Sequence, residues 1–130
     1  MTRLCDEHFE VLLETGGSLD IGRVDRRVRR IVDFKCPSSN MVKKNLWANV
    51  QDLRSGDEVK FVVGNREDYE WLKQVIDQHG MLQRCPVLIS PTFGSLEPAT
   101  VAEWILADRL DVRLQLQIHK YIWSAEAKGV

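Results

Sequence analysis

Cysteine is scarce in this chain of 130 residues, which has only Cys5, Cys36 and Cys85, each far from the others. An odd number of widely spaced cysteines does not suit a disulfide framework and is typical of a reducing compartment. The closely spaced cysteine groups that hold zinc or an iron–sulfur cluster are also absent from the sequence. We therefore expect a cytoplasmic protein with no metal site built from its cysteines.

An excess of charge of either sign is lacking too, because 18 Lys and Arg balance 19 Asp and Glu. The whole chain therefore has no strong field that would favour nucleic acid or an anionic membrane. One local exception is the segment 23–30, in which five positions are arginine. Acidic residues interleave with these arginines and no aromatic residue lies among them, which favours a solvated, charge-paired surface over a nucleic-acid site.

Long apolar runs are missing as well, and none approaches the roughly 18 residues that cross a membrane. The first residues, with Arg3 and Asp6 close together, do not resemble a signal peptide. The content of 44% hydrophobic and 28% charged residues is typical of a soluble globular protein. No low-complexity stretch or linker interrupts the chain, so we expect one domain over 1–130 and no membrane partner.

What the sequence does contain is a regular series of short apolar, β-branched runs. They recur almost evenly, at close to the roughly 30 residues that a strand, a crossover helix and a return strand require. The runs are Phe9–Leu13, Arg30–Lys35, Glu58–Val63, Pro86–Ser90 and Val112–Gln117. This rhythm predicts an α/β fold with a parallel sheet of about five strands and flanking helices.

Two of the intervening segments have the pattern of amphipathic helices. Asn65 can cap the first, which Gly80 ends, and Pro98 begins the second, which runs to about Leu110. The segment 41–53 is a weaker third candidate, in which we expect its apolar residues to face inward. The last apolar run alternates with polar residues, which is typical of a strand at the edge of a sheet.

Small, hydroxyl-bearing and charged residues follow the predicted strands, at the ends where parallel α/β sheets bind ligands. Each cluster alone is weak, because Gly16 and Gly17 also fit an ordinary turn, and a lone His119 is more often structural. Cys36 and Cys85 are most simply buried reduced thiols, and the four tryptophans most simply anchor the core or an interface.

Several of these strand-end segments together resemble a known family. The matching segments are Leu13–Gly17, Val32–Ser38, Asp57–Val63, Leu88–Pro91, Ala102–Leu106 and, above all, Arg113–Trp123. The chain resembles the C-terminal portion of 7-carboxy-7-deazaguanine synthase, a radical S-adenosylmethionine enzyme of the queuosine and 7-deazapurine pathway. The resemblance spans almost the whole chain.

The resemblance implies a partial (β/α) barrel fragment of the radical S-adenosylmethionine type. It implies the ring contraction of 6-carboxy-tetrahydropterin to 7-carboxy-7-deazaguanine, begun when a reduced [4Fe-4S] cluster cleaves S-adenosylmethionine, with Mg²⁺ assisting. It also implies a homodimer, and we expect a homo-oligomer here.

The resemblance further assigns site residues by position. Thr15 corresponds to a threonine near the substrate, whereas His119 and the terminal carboxylate of Val130 are further possible substrate contacts. The positions that the resemblance assigns to S-adenosylmethionine are Gly17, Asp33, Phe34, Lys35, Ser90, Pro91, Thr92 and Phe93.

One departure from the family pattern bears on activity. The family holds its cluster with three closely spaced cysteines, and this chain has no such triplet. We therefore expect a truncated chain without the cluster and Mg²⁺ ligands, inactive alone, and we assign no catalytic residue and no metal ligand. The alternative is a non-catalytic α/β interaction or small-ligand-binding module that self-associates to cover an exposed first strand with Phe9, Val11 and Leu13.

Overall fold

Five strands form one all-parallel sheet in the computed structural model, which describes residues 1–123. The strands are β1 (Leu12–Thr15), β2 (Arg29–Phe34), β3 (Glu58–Val63), β4 (Val87–Pro91) and β5 (Arg113–Leu114). They lie in the sheet in the order of the chain. Right-handed crossovers between strands in this order place the connecting segments on one face, which is the geometry of a partial (β/α) barrel. The predicted fold class is confirmed.

The helices are α1 (Thr2–Asp6), α2 (Arg66–His79), α3 (Pro98–Asp108) and α4 (Ile118–Ile122). The Asn65 side chain caps α2 by accepting a hydrogen bond from the Asp68 N–H at 2.9 Å, and Gly80 ends the helix with a φ of 61°. Pro98 stands at the start of α3. Both helices predicted from caps and spacing are confirmed.

The two faces of the sheet differ in polarity. On β3, Val59, Phe61 and Val63 are fully buried against the helical side, where α2 contributes Tyr69 and Leu72. The residues that alternate with them are only partly buried and include charged side chains. Parallel sheets are commonly covered by apolar packing on both faces, so this partly open, polar face is where the fold has room for a ligand.

The weaker helix prediction for 41–53 is wrong, because this segment folds into short 3₁₀ helices over Val42–Lys44 and Trp47–Asp52. Two asparagine side chains hold the segment to distant backbone. The Asn45 amide accepts from the Lys35 N–H at 2.8 Å and donates to the Lys35 carbonyl at 2.9 Å. Asn49 bonds Ile21 and Leu19 in the same way. Such side-chain bonds to backbone compete with a regular α-helix.

The outer strands also differ from their predicted bounds. Strand β1 starts later than expected, because α1 covers Val11, which is buried with Cys5 and Val28 instead of lying exposed. Strand β5 is at the sheet edge, as predicted, but pairs with β4 over two residues only. The chain beyond it turns into α4 instead of extending the strand.

The arginine-rich segment serves the fold. Arg30 is fully buried and paired with the Asp57 carboxylate, and its guanidinium also donates to the carbonyls of Ile21 and Asp52. Arg27 pairs with the Asp6 carboxylate of α1 and with the nearby Asp25 carboxylate. These contacts occupy the charges of Arg27 and Arg30, which agrees with the charge-paired interpretation of the sequence at these two positions.

Among residues 1–123, no helix has the length and apolar character that crossing a membrane requires.

Candidate functional site

Two adjoining cavities lie along the polar side of the sheet, toward the carboxyl ends of the strands. The β2–β4 cavity has a volume of about 490 Å³ and is lined by Asp33, Phe34, Lys35, Cys36, Ser38, Ser39, Val62, Gly64, Thr92 and Ser95. The β1–β3 cavity has a volume of about 270 Å³ and is lined by Glu14, Thr15, Gly16, Ile31, Asp33, Lys35 and Lys60. Asp33 and Lys35 line both, so the two spaces share a wall.

The shared wall consists of the Asp33–Lys35 ion pair, in which one carboxylate oxygen of Asp33 has no partner within residues 1–123. The Lys35 ammonium donates to Asp33 Oδ2 at 2.8 Å. The other oxygen, Asp33 Oδ1, is buried and accepts no hydrogen bond from residues 1–123. The Lys35 backbone is fixed on both sides by Asn45. Asp33 therefore presents a preset acceptor to a group that enters either cavity.

Ser90 adds a second unsatisfied polar atom. Its side chain is completely buried, and its hydroxyl has no partner within the described chain. Ser90 pairs in register with Val62, which lines the β2–β4 cavity, so both side chains point to the same face of the sheet. Ser90 itself lines neither cavity and lies beneath the wall that Val62 forms. A buried hydroxyl without a partner is costly, which makes Ser90 a candidate partner for a ligand that reaches it.

Gly17 lines neither cavity but packs against the backbone of Asp33, which lines both. It is buried with a φ of 77°, and a Cβ there would lie 2.9 Å from the Asp33 carbonyl oxygen. Its own carbonyl accepts from the Leu46 N–H at 2.8 Å. Only glycine combines this backbone conformation with such close packing, so the loop after β1 fixes the position of Asp33.

The structure thus brings together five of the residues singled out from the sequence as cavity-lining residues: Thr15, Asp33, Phe34, Lys35 and Thr92. Pro91 is buried in β4 opposite Val63, while Phe93 packs edge-on against the Tyr121 ring with centroids 5.0 Å apart. His119 is exposed on α4 and lines neither cavity. Val130 lies outside the described residues.

Several lining residues had no ligand role in the sequence analysis, among them Lys60 in the β1–β3 cavity and Gly64 in the β2–β4 cavity. A signal for Lys60 is present, because a lysine in the middle of an otherwise apolar strand must face solvent or a ligand. Glu14, just before the glycines that end β1, shares the cavity with Lys60 and offers the opposite charge.

The cysteines do not fit an iron–sulfur cluster. Cys5 lies within α1, Cys36 follows β2 at its carboxyl end, and Cys85 precedes β4 at its amino end, all as free thiols. Burial, together with the nearby carboxylates of Asp68 and Asp33, raises the pKa of Cys36, and burial raises the pKa of Cys85 to about 11. Cluster ligation needs thiolates that converge, and these three cysteines lie in separate parts of the fold.

Divalent metal sites show no counterpart in this region either. Within residues 1–123, no three His, Cys, Asp or Glu side chains converge in a way that could hold a metal ion. The walls of the two cavities carry hydroxyl groups, one carboxylate oxygen without a partner in the described chain, and side chains of opposite charge.

Comparison with known proteins gives this site a context. A scan against protein-family profiles finds no match. The chain is 49% identical, over its full length, to the 7-carboxy-7-deazaguanine synthase of Chlorobaculum tepidum, of which it covers 60%. It is 38% identical over its full length to the Koribacter versatilis synthase, covering 63% of that protein. It is 31% identical over 96% of its length to the Clostridium acetobutylicum synthase, covering 58%.

These relatives share one name, and the chain spans about 60% of the length of the first two. The matched region includes the residues that build both cavities, since it spans the whole chain. The parallel sheet is the partial-barrel architecture that the resemblance implied. The chain is therefore similar, over its full length, to a portion of the 7-carboxy-7-deazaguanine synthases.

Proposed function

We propose that this chain forms the part of a 7-carboxy-7-deazaguanine synthase that binds S-adenosylmethionine and the pterin substrate. The reaction would be the ring contraction of 6-carboxy-tetrahydropterin to 7-carboxy-7-deazaguanine. The observation that carries the proposal is the pair of buried, unpartnered oxygens, Asp33 Oδ1 and Ser90 Oγ, on the polar side of the sheet. Unsatisfied buried polar atoms in a native fold call for an explanation, and a polar ligand supplies one.

The β2–β4 cavity fits S-adenosylmethionine in size and chemistry. Its volume of about 490 Å³ lies in the range of small-molecule sites. The ligand presents an ammonium, a carboxylate and ribose hydroxyls. Asp33 can accept from the ammonium or a hydroxyl, whereas the hydroxyls of Thr92 and Ser95 can donate to or accept from the ligand's polar groups. Val62, which is half-buried, supplies apolar wall for the nucleoside base.

The β1–β3 cavity fits the substrate, a carboxylated bicyclic heterocycle with several N–H groups. Lys60 makes no ion pair with another residue of 1–123, so its ammonium is available to a carboxylate. Glu14 can accept from ring N–H and amino groups on the opposite wall. Because Asp33 and Lys35 line both cavities, the two ligands would be adjacent, as a reaction between them requires.

The chemistry that S-adenosylmethionine supplies in this family is a 5′-deoxyadenosyl radical that starts the ring contraction. The cysteines of this chain do not fit the cluster that radical formation requires. We therefore assign to these residues the binding and orientation of both ligands: Asp33 and Ser90 on one, and Glu14 and Lys60 on the other. A homo-oligomer, as in the family, completes the proposal.

Calorimetric titration of the chain with S-adenosylhomocysteine tests the first assignment. We expect saturable binding with one ligand per chain, weakened in Ser90→Ala and unchanged in Ser55→Ala, since Ser55 is exposed at the opposite end of the sheet. The absence of binding by both S-adenosylhomocysteine and S-adenosylmethionine would refute the proposal.

The second assignment is tested separately with 6-carboxypterin, a stable analogue of the substrate. We expect Lys60→Met to weaken its binding and Lys44→Met, at an exposed position, to leave it unchanged. Equal affinity in both variants would show that the β1–β3 cavity does not hold the carboxylate.

A further inference from the structure

Asp68 is a buried carboxylate without a cation. It lies in the first turn of α2 and is fully buried, yet no Lys, Arg or His of the described chain forms an ion pair with it. Its oxygens instead accept three hydrogen bonds. Oδ1 accepts from the Ser38 N–H at 2.9 Å, and Oδ2 accepts from the Ser38 hydroxyl and from the Gly64 N–H at 2.8 Å.

The donors belong to two different loops that line the β2–β4 cavity. Ser38 lies in the loop after β2, and Gly64 joins β3 to α2. A third loop is close, because a Cβ on Gly64 would lie 3.0 Å from Ser38 Oγ and 3.6 Å from Thr92 Oγ1. A single carboxylate thus sets the spacing of the loops that follow adjacent strands.

Helix capping does not account for this arrangement. The Asn65 side chain already caps α2 by bonding the Asp68 N–H at 2.9 Å. The groups that Asp68 binds lie outside the helix, in the cavity wall. Burying a charge costs free energy unless hydrogen bonds and a favourable dipole compensate for it. The position of Asp68 therefore indicates that the carboxylate is needed to hold the cavity wall in this geometry.

We propose that Asp68 is a positioning residue for the nucleoside-binding cavity, which holds Ser38 and Gly64 at the separation that admits the ligand. This inference rests on the proposed binding of S-adenosylmethionine. The inference gives a role to Asp68, which does not touch the ligand itself and acts through Ser38 and Gly64. Such support makes a binding wall rigid before the ligand arrives.

The test compares Asp68→Asn with Glu67→Gln, which neutralises an exposed carboxylate in the same helical turn. In Asp68→Asn, an amide NH₂ must face one of the donors, so one loop loses its acceptor. We expect the dissociation constant of S-adenosylhomocysteine to rise about tenfold in Asp68→Asn, as for the loss of a hydrogen bond to a charged group. Glu67→Gln should keep the wild-type value.

A second readout separates positioning from mere stability. Amide hydrogen exchange should accelerate at Ser38 and Gly64 in Asp68→Asn, and the affinity should fall at a temperature where circular dichroism shows the variant fully folded. A purely structural role would lower the unfolding midpoint and leave the affinity of the folded chain unchanged, which would overturn the inference.

Ser38→Ala serves if Asp68→Asn does not fold, because it removes only the hydroxyl contact. We expect faster exchange at Gly64, because the Asp68 carboxylate that accepts from the Gly64 N–H loses one of its three donors; unchanged exchange would overturn the inference. If the wild-type chain binds S-adenosylhomocysteine and Asp68→Asn binds it equally well, this inference alone fails. If the wild-type chain does not bind, the proposed function fails and the inference with it.

Discussion

Ser90 shows at the scale of one residue how binding and stability conflict. Its buried hydroxyl has no partner in the described chain, so Ser90→Ala should raise the free energy of unfolding by about 1 kcal/mol. The same change should weaken S-adenosylhomocysteine binding, because the ligand loses a partner. Urea unfolding and calorimetry measure the two effects.

Ser55→Ala is the matched control and should change the free energy of unfolding by less than about 0.5 kcal/mol. A Ser90→Ala chain that is less stable than the wild type would mean that the hydroxyl contributes to the fold itself, and the ligand-binding role assigned to it would lose its support.

The adjacent glycines of the loop after β1 make a second residue-scale prediction. At Gly17 the positive φ and the Asp33 carbonyl oxygen, which would lie 2.9 Å from an added Cβ, both oppose a side chain. Gly17→Ala should therefore lower the free energy of unfolding by about 1–3 kcal/mol. At Gly16 a Cβ would meet no atom within 4 Å, so Gly16→Ala should have little effect on urea unfolding. Equal effects at both positions would contradict the role of Gly17.

The sequence allowed part of the site to be predicted, for a reason visible at this scale. Asp33, Lys35 and Thr92 were assigned by the resemblance, and they line one cavity because parallel strands bring their carboxyl ends to one edge. Asp68 and Lys60 could not be assigned in the same way. Their roles depend on which loop lies against α2 and which face of the sheet stays open, and one sequence does not specify either contact.

At the scale of elements, strand rhythm and helix caps carried the fold prediction. Helix α2 could be predicted from its N-cap residue, the spacing of its apolar residues and its terminal glycine, which are all local signals. The segment 41–53 has helical spacing too, but Asn45 and Asn49 bond backbone far away in the chain. Such long-range side-chain hydrogen bonds override the local periodicity, which explains why the helix prediction for segment 41–53 was wrong.

The buried Arg30–Asp57 pair ties β2 to the turn before β3 and makes an element-scale prediction. Removing one partner leaves the other charge buried, so Asp57→Asn should lower the free energy of unfolding by about 3–5 kcal/mol at neutral pH. Glu103→Gln, at an exposed helical position, should change it by less than about 0.5 kcal/mol. Urea unfolding at pH 7 measures both.

The pH dependence of this pair has a defined sign. Burial raises the pKa of Asp57, but hydrogen bonds from Arg30 and from the Arg54 backbone outweigh it and hold the pKa below its ordinary value. A lowered folded-state pKa stabilises the fold above the unfolded value of about 3.9 and ceases to do so as the pH falls through the folded value. The difference between wild type and Asp57→Asn should therefore shrink in acid; a constant difference would contradict the assignment.

At the scale of the whole molecule, the sheet has one covered face and one polar face. The covered face supplies the core, and the polar face supplies the cavities. Within residues 1–123, strand β1 forms one edge of the sheet and pairs only with β2. Beside it, Phe9 is 60% exposed and Leu12 is 54% exposed. Unpaired strand edges with exposed apolar side chains favour association.

We therefore expect the chain to self-associate through the β1 edge, with a mass by light scattering that exceeds one chain and rises with concentration. Leu12→Lys places a charge on that edge and should shift the mass toward the monomer, because charged edge residues oppose strand pairing. Leu106→Lys is the control, since Leu106 is 76% exposed on α3, away from the edge. A one-chain mass at every concentration, or equal effects of both variants, would show that the edge is not an interface, and the polar face would then work within a single chain.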